Sequence, residues 1–161
     1  MNVFLYAPEQ FENLCVTART LEVLGFGSCY VFDPHHLVRE RYGKSYTQRL
    51  RAVSAGAFGK IAWQRVAEPL EFLRSQSGRC VATVPPRARA VSLYEFRFRA
   101  SDLLVIGAEA KGLSEELLQQ CGAQVTIPQS GLTESLNVAV ASGIVLSEWK
   151  RQEACALLEP H

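Results

Sequence analysis

The chain of 161 residues has no long apolar run and almost no excess of charge of either sign. No stretch approaches the ~20 apolar residues of a membrane-spanning helix, so we expect no membrane partner. The first residues lack a basic region and soon reach Pro8 and Glu9, so we expect no signal peptide and a cytoplasmic protein. Because the net charge is only +1, binding of a polyanion would need a local patch of cations.

Paired cysteines and the common phosphate-binding motifs are missing as well. None of the five cysteines forms a C-x-x-C pair, so we expect neither a disulfide framework nor a metal site. Lys111 is followed by Gly112 rather than by serine or threonine, and no G-x-G-x-x-G occurs. An enzyme that binds a mononucleotide through a phosphate loop is therefore disfavoured.

Short β-rich runs alternate with helical stretches along the chain. This alternation, with short connections, is typical of a mostly parallel sheet covered by helices. We therefore predict an α/β fold with a mostly parallel sheet flanked by helices, in a single domain over 1–161. The predicted strands are 3–6, 29–32, 61–63, 79–84, 102–106 and 124–127; the predicted helices are 11–24, 51–58, 69–76, 114–120 and 136–150, with a polar connection over 33–50.

The loop 107–112 follows the most apolar predicted strand, at the end of the sheet where parallel α/β proteins bind ligands. Gly107 and Gly112 allow a ligand to approach the backbone closely, and Glu109 adds a carboxylate. The pattern Gly-x-Glu-x-x-Gly alone also fits a turn that merely joins a strand to a helix. The loop is thus a candidate ligand site, and other motifs in the chain are needed to tell it from a plain turn.

A second candidate loop, 128–137, leads into the last predicted helix. The free backbone N–H groups at a helix start attract polar ligand atoms, and Ser135 lies among them. Thr133 and Ser135 equally fit the role of a simple helix N-cap. Asn137 is an unusual residue just inside a helix, because asparagine is a mediocre helix former.

Basic side chains cluster between the predicted strand 29–32 and the predicted helix 51–58. Cations beside aromatic faces suit contacts with phosphates and stacking on bases, which favours nucleic-acid binding. A solvated loop and helix face is the other interpretation, since most charge clusters are of that kind. The predicted RNA-binding residues are Arg39, Arg41, Lys44, Arg49 and Arg51, with Tyr42 and Tyr46 between them.

Several motifs in the right order resemble the SpoU (TrmH-like) branch of the SPOUT RNA methyltransferases. Asn13 and Arg19 match an Asn-x-Gly-x-x-x-Arg motif, although Cys15 stands at the glycine. A second departure is Gln129, where the family often has methionine. The resemblance covers about residues 1–152. The other matching segments are Arg51–Ala57, Asp102–Leu113, Ile127–Pro128, Ser135–Ala141 and Glu148.

The resemblance implies a SPOUT fold with a deep C-terminal trefoil knot and an obligate homodimer that pairs the first and last helices. It also implies that the backbone of the loops of the knot binds S-adenosylmethionine in a bent form. The active site would draw on both subunits. The residues implied to bind the cofactor are Thr83, Gly107, Glu109, Gly112, Ile127, Pro128, Ser135 and Leu136.

The activity implied by the resemblance is transfer of a methyl group to a ribose 2′-hydroxyl of RNA. Arg19 is the expected catalytic group: either it accepts the proton, or it stays cationic and orients phosphate and hydroxyl while water accepts the proton. Glu109 is expected to orient Arg19 as a charge-assisted partner. Asn13 is expected to position Arg19 or the ribose from the same end of the helix. Ser135 and Asn137 are expected to link the cofactor loop to the substrate.

Transfer RNA is favoured over ribosomal RNA as the substrate. The compact size and the Tyr6–Glu9 opening look like the minimal tRNA enzyme of the family, and residues 133–137 look more like its D-loop enzymes. A ribosomal RNA methyltransferase and a non-catalytic RNA-binding protein on the same fold are the alternatives. The second would be indicated by loss of Arg19 or of the glycines in 107–112, and all of these are present.

Overall fold

A computed structural model of the chain describes residues 1–39, 43–87 and 89–157. The strands are β1 Asn2–Tyr6, β2 Ser28–Phe32, β3 Ala62–Arg65, β4 Cys80–Thr83, β5 Val91–Ser92, β6 Leu103–Ile106 and β7 Ala123–Thr126. The helices are α1 Phe11–Val23, α2 Lys44–Ser54, α3 Pro69–Arg74, α4 Glu115–Gln119 and α5 Val138–Ala156, with a 3-10 turn over Ala57–Lys60. The strands form one sheet in the order β3-β2-β1-β6-β4-β7-β5, and every pair is parallel. The predicted α/β architecture is confirmed.

Two hydrophobic layers lie on opposite faces of the sheet, because successive side chains of a strand point to opposite faces. In β6, Leu104 and Ile106 belong to one layer, whereas Leu103 and Val105 belong to the other. All four are almost completely buried, as predicted for a central parallel strand. Burial of each such side chain contributes about 1.5–3 kcal/mol to the free energy of folding, relative to leaving it exposed. Helices α1 and α5 pack on the first layer, and α3 and α4 pack on the second.

The second helix does not lie where the sequence pattern predicts it. The predicted polar connection over 33–50 and helix over 51–58 are wrong, because α2 begins at Lys44 and ends at Ser54. This helix has little apolar surface of its own. The ring of Tyr46 packs on Phe11 of α1, with 4.4 Å between the ring centroids. Tertiary packing therefore stabilises a helix that periodicity alone does not indicate.

The last helix and one sheet edge also differ from the prediction. Helix α5 begins at Val138 because Asn137 caps it, and it continues past Lys150 because the following residues include good helix formers. Strand β5 was not predicted at all. Its two residues are too few to give a periodic signal, and their pairing with β7 creates the strand.

The described residues contain no helix that is long and apolar enough to cross a membrane. They also contain no group of three or more histidine, cysteine, aspartate or glutamate side chains that could hold a metal ion.

The five cysteines are free thiols. Burial raises the pKa of the Cys15 thiol to about 11, so this side chain stays protonated and packs as a small hydrophobic group.

A buried ion pair joins the starts of β4 and β6. Asp102 accepts hydrogen bonds from Arg79 Nε at 3.1 Å and Nη2 at 2.7 Å, and from the backbone N–H of Arg99 at 2.8 Å. Asp102→Asn leaves the Arg79 charge without its partner, so we expect urea unfolding to show a loss of about 3 kcal/mol in the free energy of unfolding. Glu22→Gln, which breaks the more exposed pair with Lys60, is the control. Glu22→Gln should lower the free energy of unfolding by less than about 1 kcal/mol. Equal losses in the two variants would contradict the prediction.

The hydrogen bonds of the Glu148 carboxylate contribute a stabilisation of the fold that is lost at acid pH. Arg151 donates to its two oxygens at 2.7 and 2.8 Å, and Gln152 donates at 2.8 Å. These bonds lower the pKa of Glu148 from 4.5 to about 2. Since the folded-state pKa lies below the unfolded value, the stabilisation is present above about pH 4.5 and is lost as the pH falls towards about 2.

We therefore expect the stability difference between the wild type and Glu148→Gln to shrink as the pH falls from about 5 to about 2. Urea unfolding at several pH values in that range measures it. A difference that stays constant across the range would show that the charge of Glu148 has no such role.

Candidate active site

A cleft opens beyond the carboxyl ends of β4, β6 and β7, which are neighbours in the sheet. Its volume is about 390 Å³, within the range of small-molecule sites. The lining includes every residue predicted to bind a cofactor except Pro128, which follows β7 in an exposed position. These lining residues are Thr83, Gly107, Glu109, Gly112, Ile127, Ser135 and Leu136.

The loop 107–112 is closed by two hydrogen bonds between Ala108 and Gly112. Ala108 N–H donates to the Gly112 carbonyl at 3.2 Å, and Gly112 N–H donates to the Ala108 carbonyl at 2.9 Å. Gly112 has a φ of 62°, a conformation that favours glycine. A Cβ atom at Gly107 would lie 2.7 Å from the carbonyl carbon of Gly112. Both glycines are therefore required by the shape of the loop.

Apolar side chains form much of the cleft wall, and charged side chains lie at its exposed margin. Leu113 and Val125 are part of the wall, while Arg87, Lys111 and Glu134 are exposed lining residues. These three charged residues were not predicted from the sequence. Their positions in the sequence could have indicated them, because Arg87 follows β4 and the other two lie inside the candidate loops.

Glu109 lies at the start of α1 rather than beside Arg19. Its Oε2 accepts the backbone N–H of Glu9 at 2.8 Å. Its Oε1 accepts the backbone N–H of Gln10 at 3.2 Å and the side-chain Nδ2 of Asn13 at 3.3 Å. The carboxylate thus lies at the positive end of the helix dipole, where an anion is stabilised.

Asn137 is the N-cap of α5, so it lies just outside the helix rather than just inside it as predicted. Its Oδ1 accepts the backbone N–H groups of Ala139 at 2.9 Å and Val140 at 3.3 Å. Thr133 and Ser135, the caps considered from the sequence, do not have this role. Asparagine is among the best N-cap residues, which accounts for its position.

Side-chain hydrogen bonds join three of the predicted catalytic residues in what we name the polar chain: Glu109, Asn13 and Asn137. Asn137 Nδ2 donates to Asn13 Oδ1 at 3.0 Å, and Asn13 Nδ2 donates to Glu109 Oε1 at 3.3 Å. Ser135 is not part of it and lines the cleft instead. The fold thus brings together residues from the first helix, the glycine loop and the start of the last helix.

Arg19 lies on the exposed face of α1 and does not line the cleft. It makes no hydrogen bond or ion pair with the residues that the structure describes, so the expected pairing with Glu109 is not present within one chain. It does not share an end of the helix with Asn13 either. Six residues correspond to about 9 Å along the axis and about 120° around it. Val16 and Val23, which are 43% and 72% exposed, lie on either side of Arg19.

The predicted basic cluster lies beside α1, and Arg41 falls outside the described residues. The carboxylate of Asp33 shapes the loop after β2 by accepting two backbone N–H groups at 2.9 and 2.7 Å. Arg49 forms an ion pair with Glu12 of α1, which neutralises part of the cluster's charge. The remaining described members are exposed: Arg39, Lys44 and Arg51.

The two departures from the family pattern have different positions. Cys15 is completely buried in the core and does not line the cleft. Gln129 does line the cleft, where it adds a polar group.

Fold and cleft together define a class: an all-parallel α/β protein with a small-molecule site at the carboxyl edge of its sheet. Residues 1–147 match the model of the SpoU rRNA Methylase family, and the chain belongs to this family.

Relatives of known structure share the fold over nearly the whole chain. One relative comes from a structural study of the 2-OH methylation of C/U34 on tRNA. Its sequence is 29% identical to this chain, and the TM-score is 0.78. The match covers 95% of this chain and 90% of that one. An AdoMet-bound rRNA methyltransferase from Sinorhizobium meliloti is 28% identical, with a TM-score of 0.72, over 93% of this chain and 55% of that one.

The first three curated relatives are much longer proteins. The tRNA (guanosine(18)-2′-O)-methyltransferase TARBP1 of Mus musculus is 30% identical over 155 residues, which is 95% of this chain and 9% of that protein. The chain spans 31%, 9% and 37% of the length of the first three curated relatives.

Proposed function

We propose that the chain is an RNA methyltransferase that transfers a methyl group from S-adenosylmethionine to a ribose 2′-hydroxyl. The observation that carries this proposal is that both candidate loops line one cleft, and that Glu109, one end of the polar chain, lines it too. Membership of the SpoU family supports the reaction class. The mouse relative, which is named as a 2′-O-methyltransferase, supports the ribose as the acceptor.

The cleft suits S-adenosylmethionine in size and in chemistry. Apolar walls such as Leu113 and Val125 suit the adenine ring, and the adjacent strand ends offer backbone donors and acceptors. Glu134 suits the positively charged groups of the cofactor, and Lys111 suits its carboxylate. Arg87 is paired with Glu115 at 2.8 Å. When bound, the cofactor supplies a methyl group on a sulfonium, which is a good leaving group.

A ribose hydroxyl is a poor nucleophile, so the protein must hold it and manage its proton. Arg19 is the residue to which we assign this role, following the family resemblance. Its exposed guanidinium can bind a substrate phosphate through two parallel hydrogen bonds. Two mechanisms stay open: Arg19 accepts the proton, or it stays cationic and orients phosphate and hydroxyl while water accepts the proton.

We also propose that the active unit is a homodimer. Arg19 does not line the cleft of its own chain, and a second copy can bring its Arg19 to that cleft. Val16 and Val23 on α1 and Val140 on α5 expose apolar surface that a second copy would bury. Light scattering on the purified protein tests this, and a monomer at micromolar concentration would contradict it. The trefoil knot stays a prediction from the resemblance.

Transfer RNA is the substrate that we propose, in the cytoplasm, with ribosomal RNA as the alternative. The relative described in terms of tRNA methylation matches in length as well as in fold. The S. meliloti relative, which is named as an rRNA methyltransferase, keeps the alternative open. The exposed cations Arg39, Lys44 and Arg51 suit phosphate contacts with either RNA.

The decisive experiment is transfer of labelled methyl from S-adenosylmethionine to total RNA from a strain that lacks this gene. Label at one tRNA position supports the proposal, and label in ribosomal RNA supports the alternative substrate. If the cofactor binds but no RNA is labelled, the assigned substrates are wrong. If the cofactor does not bind, the enzymatic function fails and a non-catalytic RNA-binding protein takes its place.

A further inference from the structure

We propose that Arg97 and Arg99 form a second contact surface for RNA, at the amino edge of the sheet where β4 and β6 begin. We name these two residues the arginine pair. The inference rests on the function proposed above, because its partner is the RNA substrate. It concerns phosphates of the RNA that lie far from the ribose to be methylated, on the side of the sheet opposite the cleft.

The arginine pair belongs to the segment 96–99, in which phenylalanine and arginine alternate. Phe96 is buried and Phe98 is half-buried, and their rings pack edge to face with 4.9 Å between the centroids. Both arginines are exposed. An alternation with a period of two is typical of extended chain, so the two arginines lie on the same solvent-facing side of the segment.

Gln152 of α5 holds the backbone of this segment from one side. Its Nε2 donates to the carbonyl oxygen of Phe96 at 2.8 Å, and its Oε1 accepts the backbone N–H of Phe98 at 3.0 Å. The side-chain amide thus pairs with the segment as a residue of a neighbouring strand would. These two bonds stabilise the extended backbone that carries the arginine pair.

The buried ion pair of Arg79 and Asp102 holds the same backbone from the other side. Arg79 Nη2 donates to the carbonyl oxygen of Arg97 at 2.9 Å, and Asp102 Oδ2 accepts the backbone N–H of Arg99 at 2.8 Å. The backbone of the arginine pair is therefore fixed before any ligand arrives. Binding of a phosphate then orders only the two side chains, which lowers the entropic cost of the contact.

The charge of the arginine pair is not neutralised within the part of the chain that the structure describes. No hydrogen bond or ion pair joins either guanidinium to a described residue. The two carboxylates that lie near the segment already have partners, since Asp102 is paired with Arg79 and Glu148 with Arg151. Both guanidinium charges are thus available to an anion from outside the chain.

Two further acidic groups bear on the electrostatics of this surface. After the hydrogen bonds from Arg151 and Gln152, the charges of Arg151 and Arg97 also lower the pKa of Glu148, so Arg97 lies close to that ion pair. Glu95 is exposed in the turn before the segment and is the one acidic residue from 91 to 101. Glu95→Gln should therefore tighten the binding of a polyanion at this surface.

Phosphate is the ligand that the arginine pair suits best. A guanidinium binds a phosphate through two parallel hydrogen bonds, and two residues of extended chain span about 6.6 Å, so the pair can contact neighbouring phosphates of one strand. Residues 95–102 expose no large hydrophobic side chain that a protein partner or a lipid bilayer would bury. Contacts of this kind add affinity for RNA and fix its position without reading its sequence.

Strand β6 separates the arginine pair from the cleft of its own chain. Asp102 precedes this strand and Gly107 follows it, and five steps of extended chain correspond to about 16 Å. The pair is therefore too far from that cleft to touch the cofactor or the reacting ribose. It should contribute equally to binding of the ground state and of the transition state, which changes KM and leaves kcat unaltered.

Arg97→Ala combined with Arg99→Ala tests the surface in the full-length protein. We expect the Kd for unfractionated tRNA, measured by fluorescence anisotropy at about 150 mM salt, to rise about tenfold. The slope of log affinity against log salt should become shallower by about 1.5, because each phosphate contact contributes about 0.7–0.9 to it. In methyl transfer, KM for RNA should rise about tenfold, while kcat and the Kd for S-adenosylmethionine stay at their wild-type values.

Arg74→Glu is the matched control, because it changes the net charge by the same amount at an exposed position of α3. It should bind tRNA as the wild type does. An equal loss of tRNA affinity in Arg74→Glu would mean that net charge alone sets the affinity, and it would overturn the surface. Wild-type affinity and salt dependence in the double variant would overturn it as well.

Binding of tRNA distinguishes failure of this surface from failure of the proposed function. If the wild type binds tRNA more tightly than the double variant but transfers no methyl group, the function is refuted and the surface stands. If both proteins bind tRNA equally and transfer methyl groups normally, the surface is refuted and the function stands. If light scattering shows that the double variant dissociates a dimer, the arginine pair contacts a second copy of the chain and the assignment to RNA is overturned.

Discussion

Arg19→Ala is expected to abolish methyl transfer while the fold and the binding of S-adenosylmethionine stay intact. We expect kcat/KM to fall about 1,000-fold, because neither mechanism left open for the hydroxyl proton works without the guanidinium. The side chain is exposed and makes no hydrogen bond or ion pair within the described chain, so its removal should leave stability unchanged. It lies outside the cleft, so cofactor affinity should not change.

Labelled methyl transfer measures the rate, and calorimetry measures cofactor binding in the same preparation. Arg74→Ala is the matched control, because Arg74 is exposed on α3 and, among the residues that the structure describes, bonds only Gln120, at 3.4 Å. It removes the same charge on a different helix and should transfer methyl groups normally. Wild-type transfer by Arg19→Ala would refute the role of Arg19. An equal loss in Arg74→Ala would mean that net charge, rather than position, is what matters.

Gly107→Ala is expected to weaken S-adenosylmethionine binding by about 100-fold, equivalent to about 2.8 kcal/mol. The three atoms nearest to the added Cβ would all be backbone atoms, including Gly112 Cα and Leu113 N at 2.9 Å each, and backbone cannot move aside as a flexible side chain can. The loop must therefore open its hydrogen bonds between Ala108 and Gly112. Overpacking of this kind commonly costs about 1–3 kcal/mol.

Isothermal titration with the cofactor measures the change, and Gly27→Ala is the control. Gly27 precedes β2, and a Cβ there would meet nothing within 4 Å. Its variant should bind the cofactor as the wild type does. Wild-type affinity in Gly107→Ala would mean that the glycine loop does not shape the cofactor site.

Mixing the two inactive variants tests whether Arg19 acts across a dimer. A mixed dimer of Arg19→Ala and Gly107→Ala contains one intact cleft, in the first subunit, and one intact Arg19, in the second. Recovery of activity on mixing would mean that Arg19 serves the partner's cleft. No recovery, with subunit exchange verified, would mean that Arg19 serves its own chain.

Much of the fold could be predicted from local patterns in the sequence. Strand β6 is apolar at every position because it is buried on both faces, and that signal needs no partner to be read. The glycine loop was predicted for an equally local reason, since Gly107 and Gly112 serve a backbone shape formed within six residues. Helix α2 and strand β5 were not predicted, because packing on α1 and pairing with β7 create them.

The sequence by itself determined the α/β class, the two loops of the cleft and the identity of the polar residues around it. Only the tertiary structure decided how those residues are paired. It joined Glu109 to the start of α1 instead of to Arg19, and it made Asn137 a helix cap that also bonds Asn13. The physical reason is that these partners are separated by about a hundred residues in the chain. Their hydrogen bonds exist only where the parallel sheet brings its carboxyl ends and two helix starts together.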